Sequence, residues 1–158
     1  NASTIRLTNF ICQSHNESWI SVHVCRLKAI NRNKIVLNFN ATMHNTCYEL
    51  STTLQLYKKA NGYKPWLYNS SVDICKFTRK PYNPFAIMIY KVMRQYSNMN
   101  HTCPYGGPLI ITGLHVKYSD LLPFPSGDYL AKLDWYCFKR KQLSTDLYFK
   151  SDEGLLKS

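Results

Sequence analysis

Long hydrophobic runs are missing from this chain, and so are most of the residue spacings that announce chemistry. No apolar stretch approaches the roughly 18 residues of a membrane-spanning helix, so none is expected within it. No CxxC or CxxxH pair brings ligands together locally, which argues against a zinc site. No DxDxDG run supplies oxygens for calcium, and the carboxylates Asp73, Asp120, Asp128 and Asp134 stand apart. The five histidines, His15, His23, His44, His101 and His115, raise the thought of a basic ribonuclease. No spacing unites a nucleophile, a base and an orienting group, so no catalytic residue, metal or cofactor is expected. Internal repeats and low-complexity linkers are also absent, which leaves one domain over residues 1–158. Residue 1 is Asn, with no charged-then-apolar leader before it, and the chain reads as a mature or trimmed form without its signal peptide. The C-terminal residues do not resemble a lipid-anchor signal.

Acid is scarce: 9 Asp and Glu face 20 Lys and Arg, a formal net charge of +11. Such an excess can steer a protein toward nucleic acid, anionic headgroups or acidic glycans. Here the basic residues are spread over Arg26–Lys34, Lys58–Lys59, Lys76–Lys80 and Lys139–Lys141 instead of forming one dense tract. That is the pattern of a solvated surface, so no nucleic-acid partner is expected, and contact with a membrane surface only transiently.

Six cysteines with wide, irregular spacing are present, and they suit an oxidising compartment and three disulfides. The sequons agree. Asn1, Asn16, Asn40, Asn69 and Asn100 each head an Asn-x-Ser/Thr triplet, five in all, where 13 Asn and 23 Ser/Thr predict only about two by chance. A secreted, glycosylated, monomeric protein is expected.

Hydrophobic periodicity gives the elements. Residues 19–29 and 35–41 alternate with period two around a polar turn, which predicts an antiparallel hairpin. Leu50, Thr52, Leu54 and Leu56 line one face of a third strand. Asn61-Gly62 marks a tight turn, and Pro65 places the returning strand at an edge or a kink. Residues 108–117, with Gly113 as a bulge, then 128–138 and 145–149, read as further strands, whereas residues 7–12 hold too few apolar positions to specify much. One segment breaks the pattern. Phe85, Met88, Ile89, Val92, Met93 and Tyr96 fall on one stripe of a helix over about 84–97, opened by Asn83-Pro84 and ended by Pro104 and Gly106-Gly107. The predicted fold is mainly β: an antiparallel, immunoglobulin-like sandwich or cup of seven or eight strands, with one inserted amphipathic helix and three disulfides.

The segments Cys25–Arg32, Asn61–Leu67, Asp73–Phe77, Tyr96–Tyr105 and Pro125–Tyr129, in this order over nearly the whole chain, resemble a large insect family of small secreted proteins. That family is catalogued mainly as a domain of unknown function and includes chemosensory proteins of sensory bristles. It is distantly similar to the ML lipid-recognition domain, the fold of the ganglioside activator and of the Niemann-Pick type C carrier. The resemblance implies a β-cup whose sheets part at one edge to admit an apolar ligand. It also favours the pairings Cys12 with Cys25, Cys75 with Cys103 and Cys47 with Cys137. An ML-like alternative, Cys12 with Cys47 and Cys25 with Cys137, stays open because connectivity cannot be read from spacing. If the cup is hollow, alternation offers Val22, Val24, Leu37, Phe39, Leu54, Leu56, Ile111, Leu133 and Trp135 as its walls. The helix stripe with Phe85, Ile89, Val92 and Met93 would close one side. A one-residue slip of register would invert any of these faces.

The expected function is a secreted, non-enzymatic binding protein for a lipid or other small apolar ligand, with a pheromone-type chemical as the ligand suggested by the chemosensory relatives. The alternative is an extracellular interaction module with a filled core that binds a receptor or another secreted protein.

Overall fold

A computed structural model of the chain describes residues 2–154. The order of elements is β1 (Thr4–Ser14), β2 (Ile20–Asn31), β3 (Lys34–Cys47), β4 (Leu50–Ala60), β5 (Gly62–Asp73), α1 (Ile74–Arg79), α2 (Pro84–Met93), β6 (Tyr105–Leu114), β7 (Gly127–Cys137) and β8 (Arg140–Asp152). The strands form two antiparallel sheets. One has five strands in the order β1-β8-β7-β4-β5, the other three in the order β2-β3-β6. Their inner faces carry the core, which includes Leu7, Leu37, Phe39, Leu54, Leu56 and Phe149. The fold is thus the mainly β sandwich expected, with β1 present although its sequence specifies little.

Local chemistry accounts for several boundaries. Gly62, at φ +84°, makes the turn with Asn61 that pairs Ala60 with its own hairpin partner. Pro65 lies in β5, an edge strand, where its missing N–H costs no ladder bond on the free side. Asn83 caps α2: its Oδ1 accepts from the amides of Phe85 (3.2 Å) and Ala86 (3.3 Å), and Pro84 fills the first helical position. After Met93 the chain tightens into a 3-10 turn, Arg94–Tyr96, close to the expected end of the helix. A second helix, α1, was not expected. Asp73 Oδ1 caps it by accepting from the Lys76 amide at 3.1 Å, but six residues are too few for a helical period to show.

The structure pairs Cys12 with Cys25, Cys47 with Cys137, and Cys75 with Cys103. The first two join the five-stranded sheet to the three-stranded one, through β1 and β2 and through β7 and β3. The third ties α1, rather than a strand end, to the segment before β6.

Of the sequon asparagines, Asn69 and Asn100 are exposed, while Asn16 and Asn40 are half-buried. Asn1 lies outside the described residues.

Candidate functional site

Between the sheets lies a cavity of about 310 Å³. Leu50, Thr52, Leu54 and Leu56 of β4 supply one wall with Ala131, Leu133 and Trp135 of β7, which sit opposite them in register. Leu37, Phe39 and Met43 of β3 face them from the other sheet, flanked by Leu109 and Ile111 of β6. The chain passes from β5, an edge of the larger sheet, to β6, an edge of the smaller, through both helices, and α2 lays Phe85, Met88, Ile89, Val92 and Met93 along the gap. At one end, Trp66, Phe124, Tyr129 and Phe149 pack into a plug, with the Tyr129 and Phe149 rings stacked 5.3 Å apart.

Of the residues expected on the walls, Leu37, Phe39, Leu54, Leu56, Phe85, Ile89, Val92, Met93, Ile111, Leu133 and Trp135 line the cavity. Val22 and Val24 do not. A β-bulge at His23 is the reason: Val22 pairs with the inward Ala41, but Val24 pairs with Asn40, whose neighbours Phe39 and Ala41 face inward. The inward face of β2 therefore changes parity, from Ile20 and Val22 to Cys25 and Leu27. Val22 packs against the core without reaching the hollow.

Sequence reasoning missed Leu7, Phe10, Met43, Tyr105, Gln142 and Phe149 among the lining residues. Bulges hid some of these too. In β1 the register shifts between Leu7 and Asn9, which puts Leu7 and Phe10 on one face at a spacing of three. In β8 it shifts between the partners of Trp135 and Tyr136, leaving Gln142 as the extra residue. The signal for Met43 is the continuation of the β3 alternation beyond residue 41, and the signal for Phe149 is its shared parity with Thr145 and Leu147 within the strand read over 145–149.

The polar groups on the walls mostly have partners. Thr52 Oγ1 donates to the Asp134 carbonyl at 2.9 Å, and Trp135 Nε1 donates to Thr145 Oγ1 at 3.1 Å. Tyr68 Oη donates to Asn83 Oδ1, and Asn83 Nδ2 donates to Ser70 Oγ at 2.9 Å. Tyr105 donates to the His101 carbonyl. Burial, with a lesser effect of Tyr90, pushes the Tyr105 hydroxyl up to about 12. Burial, and then the charge of Glu153, does the same for Tyr129 in the aromatic plug. Both rings stay neutral at physiological pH. The ion pairs Lys132–Asp146 (3.1 Å) and Lys141–Asp134 (3.7 Å) involve strand positions that alternate with the lining ones, so no formal charge lies on the wall among the described residues.

The histidines do not converge. His15 lies 2.7 Å from Ser144 Oγ, His23 2.8 Å from Thr42 Oγ1, His44 2.8 Å from Ser21 Oγ and His101 2.7 Å from the Thr102 carbonyl. Among the described residues none of them lines the cavity, and no group of three or more His, Cys, Asp or Glu is placed to hold a metal ion. Nor is any described helix long and apolar enough to cross a membrane.

Compared with known proteins, the chain matches one family model, described as a protein of unknown function (DUF1091), over residues 52–131. That span runs from β4 to the middle of β7 and carries both helices, β6 and the Cys75–Cys103 bridge. No curated protein matches the chain.

Proposed function

We propose that this chain, which belongs to the DUF1091 family of proteins of unknown function, is a secreted, non-enzymatic protein that holds a lipid or other small apolar ligand between its two β-sheets. The observation that carries the reading is the cavity of about 310 Å³ with its apolar, uncharged walls. Ligand sites span roughly 300–1,000 Å³, so the volume suits one slim molecule rather than a bulky one. A space lined by Leu, Ile, Phe and Met resists filling by water, because water there would find few hydrogen-bond partners. Burial of a ligand's apolar surface, at about 25 cal/mol per Å² before entropic costs, supplies the affinity.

Three disulfides and the excess of sequons support secretion. The resemblance to the ML domain supports the lipid class, and the resemblance to bristle proteins a pheromone-type ligand. Lys58, Lys59 and Lys64 on the β4–β5 hairpin, beside the exposed Tyr63 and Leu67, suit brief contact with a membrane surface during loading. The protein acts as a monomer and needs no cofactor.

Native mass spectrometry of protein secreted from a eukaryotic host, followed by organic extraction, tests this. A stoichiometric fatty acid, sterol or hydrocarbon is the expected result. A ligand-free protein that also refuses a fluorescent lipid probe would overturn the reading and favour a receptor-binding module.

A further inference from the structure

Two buried side-chain atoms among the described residues have no hydrogen-bond partner: His115 Nδ1 and Gln142 Oε1. His115 is off the cavity, but Gln142 lines it. Gln142 is only 5% exposed, and its position follows from the bulge in β8, which removes it from the ladder with β7. Its backbone carbonyl is occupied, accepting from the His15 amide at 2.8 Å. It sits at the end of the sandwich tied by Cys47–Cys137, two residues after Arg140, the register partner of Cys137. A buried acceptor left unpaired in apolar surroundings is costly to the fold, and such a group is kept where something else satisfies it.

We propose that the ligand is an apolar molecule bearing a hydroxyl or an equivalent hydrogen-bond donor at one end, and that Gln142, whose Oε1 is closed off in the ligand-free fold, turns its side-chain amide into the hollow to accept from it. The inference rests on the carrier reading above and names the chemical class that reading leaves open. Tyr68, Asn83, Thr52, Thr145 and Tyr105 are committed to partners within the protein, whereas Gln142 carries, among the described lining residues, the fully buried acceptor that has none. A donor-bearing ligand thus enters with its polar end toward the Cys47–Cys137 bridge and its apolar body along the Leu and Phe walls. A pure hydrocarbon would fill the same space and leave the acceptor unpaired.

The test is competitive uptake of decanol, methyl nonyl ether and undecane, three slim molecules of equal heavy-atom number, read by extraction and gas chromatography. Wild type is compared with Gln142→Met and Gln142→Leu. One net hydrogen bond to an otherwise unsatisfied buried acceptor is worth roughly tenfold in affinity, so the ratio of decanol to ether bound should fall about tenfold in both variants. Uptake of undecane should hold, and the ligand-free variants should melt no lower than wild type. An unchanged ratio with all three molecules bound would overturn the role of Gln142 and leave the carrier reading standing. Variants that lose their cooperative melt would place the amide in the fold's own bonding and overturn it as well. Failure of the wild type to take up any of the three would overturn both readings.

Discussion

The two sheets meet along two seams built in different ways. On one side β1 and β2 are joined by the Cys12–Cys25 disulfide, with Cα atoms 6.1 Å apart, and the seam is covalent. On the other side β5 and β6 are joined only indirectly, by the Cys75–Cys103 disulfide between α1 and the segment before β6, and α2 spans the gap. Two asparagines moor that helical segment. Asn83 joins its start to Tyr68 and Ser70 of β5, and Asn98 joins its end to β6, accepting from the Ile110 amide at 2.9 Å and donating to the Pro108 carbonyl at 2.8 Å. Between the moorings the helix is held mainly by apolar packing, including the Phe85 ring stacked on Tyr68 at 4.2 Å and the flexible side chains of Met88 and Met93, with the Leu122 amide donating to Met88 Sδ at 3.0 Å. One seam is closed strand to strand by a disulfide, while the other, the packed seam, is spanned by a helix that is tethered only at its flanks and can loosen without losing the sandwich. On the proposed carrier reading, the packed side is the one by which a ligand would pass.

The sharpest way to break this contrast is Phe85→Ala. Losing a buried, stacked ring should cost about 4 kcal/mol in denaturant unfolding, and the vacated space should speed release of a bound fluorescent lipid. Replacing Cys12 and Cys25 together by Ala removes a closure across 13 residues and should cost about 3 kcal/mol, with release unaltered. Should the disulfide variant, and not Phe85→Ala, release ligand faster, the seams have been assigned the wrong way round.

Asn83→Ala comes next, at about 2 kcal/mol. It removes the cap and the tie to β5, and it places Ala at φ 68°, where a Cβ is strained. Its effect on release should resemble that of Phe85→Ala on a smaller scale, which stopped-flow fluorescence would register.

The smallest effect is alkaline. Tyr105, beside the packed seam, and Tyr129, in the aromatic plug, have an ordinary value of 10.0 that rises to about 12 in the fold. Unfolded chains lose these protons first, so the stability linked to them is complete below pH 10 and drains away as pH climbs toward 12. Melting temperature should hold up to pH 10 and then drop. Tyr105→Phe and Tyr129→Phe should each remove part of the drop, a result that tyrosinate absorbance would check independently.

Much of this architecture was legible in the residues. Leu50, Thr52, Leu54 and Leu56 lie on one face in the structure as their alternation requires, because β4 pairs with β7 without a register shift across this stretch. The stripe of α2 was equally legible, since a ten-residue helix is long enough to repeat its period. The bulge at Gly113 was legible from its glycine, but alternation could not convey those near Thr8, His23 and Gln142. Each inserts a residue that belongs to neither face, so the sides exchange beyond it. That is why Val24 was placed on the wall wrongly and Phe10 was left off it.

Local residue patterns carry the two-sided strands, the one amphipathic helix with its Asn-Pro start, and the disulfide chemistry of six cysteines. These are local consequences of period, turn residues and composition. That the interior has a hollow, with Gln142 among its lining, emerges from long-range packing. A cavity is the volume left when two curved sheets and a helix fail to fill the space between them, and that curvature comes from bulges set by pairing between distant strands.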